Sequence, residues 1–280
     1  TIIIHREFQP DVVLKTVQDE KIETMFMVPA MWNFLFQVPN ISEYDLSSMT
    51  NCSLGGAICP IEIKKRILQV FKNATILEAF GQTEMSPSTT YLAGEDALRK
   101  TESVGKPSIN VRVRIVDNEM NDVPVGEVGE IVYQGPTTMK EYYKNEEATE
   151  EAFKGGWFHS GDLVRMDEEG YIYVVDRKKD MIISGGENIY PKELEDVLYS
   201  HPDILEAAVV GIPDPKWGET VKAYIVLKSG RQMTEEQVIQ FCQSSIASYK
   251  KPRAIEFMES LPRNAAGKVL KMVLRTGAYH

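Results

Sequence analysis

The run Asp176-Arg177-Lys178-Lys179-Asp180 constrains this chain more than any other stretch. Consecutive charged side chains cannot be buried together in a core, so the chain must come to the surface here. Just before the run, Tyr171-Ile172-Tyr173-Val174-Val175 has the β-branched and aromatic composition of a strand. Just after it come an apolar triplet, Met181-Ile182-Ile183, and a Gly185-Gly186 turn. A charged surface link with structured sequence on both sides is where domains join. We therefore expect a hinge at 177–179, a larger domain over 1–176 and a compact α+β domain over 180–280. The same residues also suit an ordinary hairpin with a solvated turn.

The 280 residues suffice for two domains, and a balance of 43% hydrophobic against 26% charged residues is that of a globular protein. A net charge of −10 argues against a general nucleic-acid binder, which needs a basic face. Local basic clusters, Arg177-Lys178-Lys179 and Lys250-Lys251, could still meet a phosphorylated ligand. The three cysteines, Cys52, Cys59 and Cys242, form no CxxC pair, which fits free thiols in a reducing compartment and a cytoplasmic location. No apolar run is long enough to span a bilayer and no signal peptide is visible, while peripheral membrane contact stays open. The opening Thr1-Ile2-Ile3-Ile4 lacks a Met and reads as a buried strand entered mid-fold, so we expect a piece of a longer protein.

In the first hundred residues, strand and helix signals alternate. Asp11 is placed to cap a helix with Val13, Leu14 and Val17 on one face. Thr24 to Val28 reads as a strand stopped by Pro29, with a short aromatic helix (Trp32, Leu35, Phe36) behind it. Cys52 to Leu54 ends a strand that Gly55-Gly56-Ala57 turns into a helix, with Pro60 at its first position and Ile63, Ile67, Val70 and Phe71 inward. Ala74 to Leu77 is the next strand. This order predicts a parallel α/β layer over about 1–102, with ligands at the carboxyl ends of its strands. From Ser103 the texture changes: Val111, Val113 and Ile115 alternate with Arg112 and Arg114, and Gly129 to Tyr133 is strand-like. We expect a small antiparallel, β-barrel-like subdomain over about 103–176. Beyond Asp180, Pro191 starts a helix, Ala207 to Val210 and Ala223 to Leu227 are strands, Thr234 with Gln237 forms a capping box, and Ala254 to Met258 is a last strand.

Four segments concentrate polar and glycine residues suited to chemistry. In order they are Phe80-Gly81-Gln82-Thr83-Glu84, Trp157-Phe158-His159-Ser160-Gly161-Asp162, Asp176 to Asn188, and Pro262-Arg263-Asn264-Ala265-Ala266-Gly267-Lys268. Read as chemistry, Glu84 offers the single carboxylate that suits Mg²⁺, Thr83 a hydroxyl, and Phe80 a ring face. Gly55-Gly56 lets backbone approach a flat base, and Asp162 can accept both hydroxyls of a cis-diol. Lys268 is a long cation on a polar loop. Each also has a plain alternative: a surface Glu at a turn, an Asp satisfying its own backbone, an exposed Lys, and turn glycines needing positive φ.

Together, in this order and over the whole chain, the segments strongly resemble the adenylate-forming acyl-CoA synthetases. The resemblance implies formation of an acyl-adenylate from a carboxylic acid, most simply a fatty acid, and ATP, then acyl transfer to CoA. It implies that Phe80, Gly55, Gly56, Ala57 and Gly81 line adenine, that Thr83 contacts phosphate and that Glu84 holds Mg²⁺. Phe80 stands where the family more often has Tyr. Asp162 and Arg177 are implied to hold the ribose, and Lys268 to bridge the substrate carboxylate and phosphate. Lys179 falls at the family's hinge, whose rotation presents either Lys268 or the Ser184-Gly185-Gly186-Glu187-Asn188 loop that lines the channel for CoA's pantetheine arm. Family members carry a Ser/Thr/Gly-rich phosphate loop ahead of this region. It is absent from this sequence, so the chain alone is expected to be inactive. His159 has no triad partner implied by adjacency, and Trp217-Gly218-Glu219 and Tyr249-Lys250-Lys251-Pro252 are read as turn and packing anchors. A non-catalytic nucleotide-binding module and an amino-acid-activating adenylation domain are the competing functions.

Overall fold

The computed structural model describes residues 1–56, 59–264 and 268–278. Its first element, α1 (Pro10–Glu20), starts on a proline, whose missing N–H is no loss at the first helical position. Gln9 is therefore the N-cap, and Asp11, expected as the cap, lies inside the first turn. Val13, Leu14 and Val17 are buried as their spacing predicts. There follow β1 (Thr24–Met27), α2 (Pro29–Leu35), β2 (Asn51–Gly55), α3 (Ile61–Val70) and β3 (Thr75–Gly81). β1, β2 and β3 run parallel, which gives the expected α/β layer. Pro60 has extended ψ (141°), so it is the N-cap of α3 and not its first residue. The sheet then continues antiparallel through β4 (Ser88–Ala93), the short helix α4 (Asp96–Arg99) and β5 (Lys106–Pro107), in the order β1-β2-β3-β4-β5. Its core holds Leu14, Trp32, Leu54, Ile67 and Phe71, with the Trp32 and Phe71 rings edge-on at 5.6 Å.

The expected N-terminal strand is not formed. Thr1 to Ile4 is irregular and exposed, with Ile2 at 87% and Ile4 at 85%. β-branched side chains make a strand only where a neighbour completes the ladder, and none among the described residues pairs with this run. It borders a cavity of about 940 Å³ shared with α1 and β1.

The next sheet comprises β6 (Arg112–Val116), β7 (Gly129–Gln134) and, after helix α5 (Glu146–Ala152), β8 (Phe158–Met166) and β9 (Ile172–Arg177), in sequence order. Among the described residues it is a four-stranded sheet that does not close into a barrel. Ile131, Tyr133, Phe158, Val164 and Ile172 pack beneath it with Met85.

The remaining elements are β10 (Ile182–Ser184), β11 (Glu187–Ile189), α6 (Pro191–Tyr199), β12 (Ile204–Asp214), β13 (Gly218–Leu227), α7 (Glu235–Ser245), β14 (Ala254–Phe257) and α8 (Lys271–Thr276). The sheet order is β11-β10-β13-β12, with β14 parallel to β13. The Thr234–Gln237 capping box starts α7 as expected. Successive strand residues face opposite sides, and both sides of β12 and β13 are apolar. Ala207, Val209, Val221, Ala223 and Ile225 pack with Leu194, Leu198, Val238 and Cys242 of α6 and α7. Ala208, Val210, Tyr224 and Val226 pack with Leu261 and with Leu274 of α8.

By contact the chain separates into residues 1–160 with 164–174, and residues 161–163 with 175–280. No helix of the described residues is long and apolar enough to cross a membrane. Cys52, Cys59 and Cys242 are free and buried.

Candidate active site

Within the first unit, the carboxyl ends of β2 and β3 lie side by side, because Gly55 pairs with Ala79 in the parallel ladder. Gly55 and Gly56 leave β2 at this edge, and Phe80 and Gly81 end β3. This is the edge at which an open α/β sheet accepts ligands. A Cβ on Gly55 would sit 3.0 Å from the Phe26 ring and 3.1 Å from the Ala79 carbonyl, so the strand end is tight. Gly81 is required by the fold itself: a Cβ there would lie 2.0 Å from the Pro87 carbonyl oxygen and 2.8 Å from Thr89 N. Phe80 is half-buried against the core shared with the β6–β9 sheet, and its carbonyl accepts the Thr89 hydroxyl at 3.0 Å. Ala57 lies outside the described residues.

After Gln82 the backbone makes one 3₁₀ turn, Thr83–Met85, which plants Met85 in the core and leaves Thr83 exposed and Glu84 half-buried. Glu84 is braced at two points. Its carbonyl accepts Met139 N at 2.6 Å, and its Oε1 accepts the Tyr142 hydroxyl at 2.9 Å. Burial, and then the carboxylate itself, push the Tyr142 phenol above its ordinary pKa, so it remains a donor at neutral pH. Such a partner orients a metal-binding carboxylate. Among the described residues, no group of three or more His, Cys, Asp or Glu could hold a metal. A lone carboxylate completed by phosphate oxygens and water is the Mg²⁺ pattern, and Glu84 fits it.

Behind this edge, α3 buries Lys64 completely, with Nζ 2.5 Å from Oε2 of Glu78 and donating to the Thr101 carbonyl at 3.0 Å. Burial raises the Glu78 pKa, while Lys64 and the Cys59 N–H oppose the shift. The pair thus ties α3 to β3, and Glu78 also meets the Cys59 N–H. No neighbouring residue in the sequence signals the burial of Lys64; the carboxylate on β3 accounts for it.

In the second unit, Asp162 is 3% exposed and its Oδ1 lies 2.6 Å from Arg177 Nε. The two residues expected at the ribose are therefore brought together as an ion pair. Asp176 accepts Arg177 N at 2.7 Å on Oδ1 and Lys192 N at 2.8 Å on Oδ2, so it caps the start of α6. Its carboxyl is pushed up by burial against those two bonds. Lys179 is exposed on the turn that follows β9. Gly185 (φ 63°) and Gly186 (φ 88°) form the two-residue turn of the β10–β11 hairpin, with Ser184 paired to Glu187. The tight-turn reading of these glycines therefore holds. A Cβ on Gly185 would come within 2.7 Å of the Trp217 ring, whereas Gly186 has open space and Glu187 is exposed. Trp217 is the packing anchor its sequence context suggested. Lys268 is exposed on a loop closed by Asn264: Lys268 N donates to Asn264 Oδ1 at 2.9 Å and Asn264 N to the Lys268 carbonyl at 3.0 Å. Ala265 to Gly267 lie outside the described residues. His159 has both ring nitrogens engaged, with Glu130 Oε2 and the Lys154 carbonyl each at 3.1 Å, a structural role.

Residues 1–143 match the family model for AMP-binding enzyme, and residues 193–268 match the AMP-binding enzyme C-terminal domain. The chain belongs to the AMP-binding enzyme family. Relatives of this AMP-binding enzyme include a feruloyl-CoA synthase of Amycolatopsis sp, 40% identical over 98% of this chain and 56% of the relative. The long-chain-fatty-acid–CoA ligase FadD13 of Mycobacterium tuberculosis is also 40% identical, over 98% of this chain and 54% of the relative. Among solved structures, o-succinylbenzoate CoA synthetase (MenE) from Bacillus subtilis, in complex with its acyl-adenylate intermediate, matches with a TM-score of 0.84 and 33% identity over 99% of this chain and 55% of that one. The chain thus spans about half the length of the curated relatives it matches. The AMP-binding fold that the motif order implied is the fold found.

Proposed function

We propose that this AMP-binding enzyme chain works in an ATP-dependent acid–thiol ligase. A carboxylate oxygen of the acid attacks the α-phosphorus of ATP, giving an acyl-adenylate and releasing pyrophosphate. The CoA thiol then attacks the acyl carbon, giving the thioester and releasing AMP. The observation that carries this reading is the placement of Gly55, Gly56, Phe80, Thr83 and a braced Glu84 at one carboxyl edge of β2 and β3. Catalysis of phosphoryl attack is mainly positioning and charge placement.

In this reading Phe80 covers adenine, while Gly55, Gly56, Ala57 and Gly81 let backbone approach the base. Thr83 donates its hydroxyl to the α-phosphate. Glu84 holds Mg²⁺, which when bound would neutralise phosphate charge. Asp162 accepts the ribose hydroxyls, and Arg177 orients it. Lys268 neutralises the approaching carboxylate and the α-phosphate in the first step. A hinge at 177–179, with Lys179 on it, lets residues 180–280 exchange Lys268 for the Gly185-Gly186-Glu187 turn, along which the pantetheine arm enters.

The substrate is a carboxylic acid. We put a fatty acid first, supported by the Met85-Ser86-Pro87 continuation and by the long-chain ligase relative; an aryl acid is the second reading, supported by the feruloyl-CoA synthase at the same 40% identity. The buried free thiols support a reducing compartment. The test is acid-dependent ATP–pyrophosphate exchange and CoA-thioester formation by the protein carrying this chain, over fatty, aryl and amino acids. Exchange and thioester with one class of carboxylic acid is the expected result. Failure with every such acid, alongside hydroxamate formation from an amino acid, would overturn it.

A further inference from the structure

Hydrogen bonds on the two sides of position 178 belong to different anchors. Arg177 Nε pairs with Asp162 at 2.6 Å, and Lys178 N donates to the Gly161 carbonyl at 2.8 Å, so both residues are held to β8. The next two carbonyls are held elsewhere. Arg275, on α8, donates from Nη1 to the Lys179 carbonyl at 2.9 Å and from Nη2 to the Asp180 carbonyl at 3.1 Å. Among the described residues, Asp180 N and Met181 N bridge the two sides through the Arg177 carbonyl, at 2.9 and 3.1 Å, in a turn whose Lys178 and Lys179 are exposed.

α8 is a firm mount for such a clamp. Leu274 is fully buried, and its carbonyl accepts the Tyr224 hydroxyl at 2.8 Å. Lys271 Nζ lies 2.7 Å from Glu195 Oε1, the same oxygen that accepts Val209 N at 2.7 Å. Lys268 lies three residues before the start of this helix. The Arg275 Nε is buried without a hydrogen-bond partner among the described residues. That desolvation is a cost which the two carbonyl bonds, made by the fork of one planar guanidinium, help to offset, together with the Asp180 carboxylate, whose Oδ1 lies 4.0 Å from Nη2.

We propose that Arg275 is a positioning residue: it locks the carboxyl side of the pivot, Lys179–Asp180, to the helix that follows the Lys268 loop, so that rotation about the Lys178–Lys179 junction delivers the lysine without slack. The proposal rests on the role given to Lys268 above. A lysine at 275 keeps the charge but lacks the rigid two-nitrogen fork that addresses each carbonyl separately, and an apolar side chain makes neither bond.

The experiment uses Arg275→Lys and Arg275→Met, each alone and with Lys268→Ala, in the protein carrying this chain. Adenylation is read by ATP–pyrophosphate exchange, and the native protein is probed by trypsin at Lys178 and Lys179. Arg275→Met is expected to lower the exchange kcat about 10-fold with KM for ATP unchanged, and Arg275→Lys by less. The double variant with Lys268→Ala is expected to be no slower than Lys268→Ala alone, since both act through one group. Nicking after Lys178 and Lys179 is expected to quicken several-fold in both Arg275 variants. If Arg275→Met does not fold, Arg275→Lys carries the same test. Additive losses, a raised KM for ATP, or unchanged exchange and nicking would overturn the proposal. If Lys268→Ala itself leaves exchange intact, the functional reading fails, and the nicking rate still decides whether Arg275 holds the pivot.

Discussion

Arg177 Nε stands 2.6 Å from Oδ1 of Asp162, a buried acid whose partner remains 41% exposed. The exposed guanidinium holds one oxygen of the carboxylate expected to meet the ribose. Asp162→Asn should weaken AMP binding by about 10-fold, because an amide cannot accept two hydroxyls as a carboxylate does. Arg177→Ala should bind AMP less weakly than that but lose about 1–3 kcal/mol of stability, because it strips a buried charge of its ion partner. Calorimetric titration with AMP and urea unfolding separate the two; the reverse ranking would refute the assignment.

The glycines of the β10–β11 turn are not equivalent. Gly185→Ala should cost more than Gly186→Ala, since both have positive φ but only the first meets the Trp217 ring, 2.7 Å from the added carbon. We expect about 1 kcal/mol for Gly186→Ala and an additional 1–3, roughly, for Gly185→Ala. Gly186→Trp, which has room at its root, should slow acyl transfer to CoA while sparing pyrophosphate exchange. Equal slowing of both half-reactions would argue against an arm channel at this turn.

Tyr142 orients Glu84 without replacing it. Tyr142→Phe should slow adenylation by about 10-fold, whereas Glu84→Gln, which removes the charge facing the metal, should lose at least about 100-fold and shift the Mg²⁺ dependence. Exchange rates titrated with Mg²⁺ check both. A Tyr142→Phe variant with the wild-type Mg²⁺ curve and rate would leave the phenol no role.

The buried Lys64–Glu78 pair predicts an asymmetric mutational response. Lys64→Met alone should destabilise by about 3–5 kcal/mol, because Glu78 keeps its buried carboxyl without the cation. Lys64→Met with Glu78→Leu should recover much of that loss. Denaturant midpoints for the single and double variants decide the matter.

Burial pushes the thiols of Cys52 and Cys59 from 9.0 up to about 12, and Cys242 up to about 11, with the nearby Glu78 adding to the shift at Cys59. A folded pKa above the unfolded one means that the protonated thiol favours the native state. This contribution is intact below about pH 9 and is lost as pH climbs through the native values. Alkylation at pH 8 should therefore be at least about 100-fold slower in the native than in the denatured protein at all three cysteines, and stability should fall above about pH 9. Peptide-level mass spectrometry after iodoacetamide measures the labelling.

Local signals in the sequence were legible and tertiary ones were not. The apolar face of α1, the capping box of α7 and the Gly185-Gly186 hairpin each follow from a few neighbouring residues, and each is found. β4 escaped notice because Thr89 and Thr90 look polar; in the fold their hydroxyls are buried and donate to the carbonyls of Phe80 and Val104. Thr1 to Ile4 misled in the opposite sense, having strand composition and no strand to pair with. Tyr142 and Tyr143 are indistinguishable by type, yet one meets Glu84 and the other is 85% exposed. The motif residues themselves could be named in advance because their order resembles one family. The residues that brace them (Tyr142, Glu78, Lys64 and Arg275) could not, since each acts through a partner distant in sequence.

Because β12 and β13 are apolar on both sides, α8 is also a stopper. Lifting it would bare Ala208, Val210, Tyr224 and Val226 as one greasy strip on a pleated surface. A change that unseats α8 would then turn this lobe into one that clumps, even with every nucleotide-facing residue untouched.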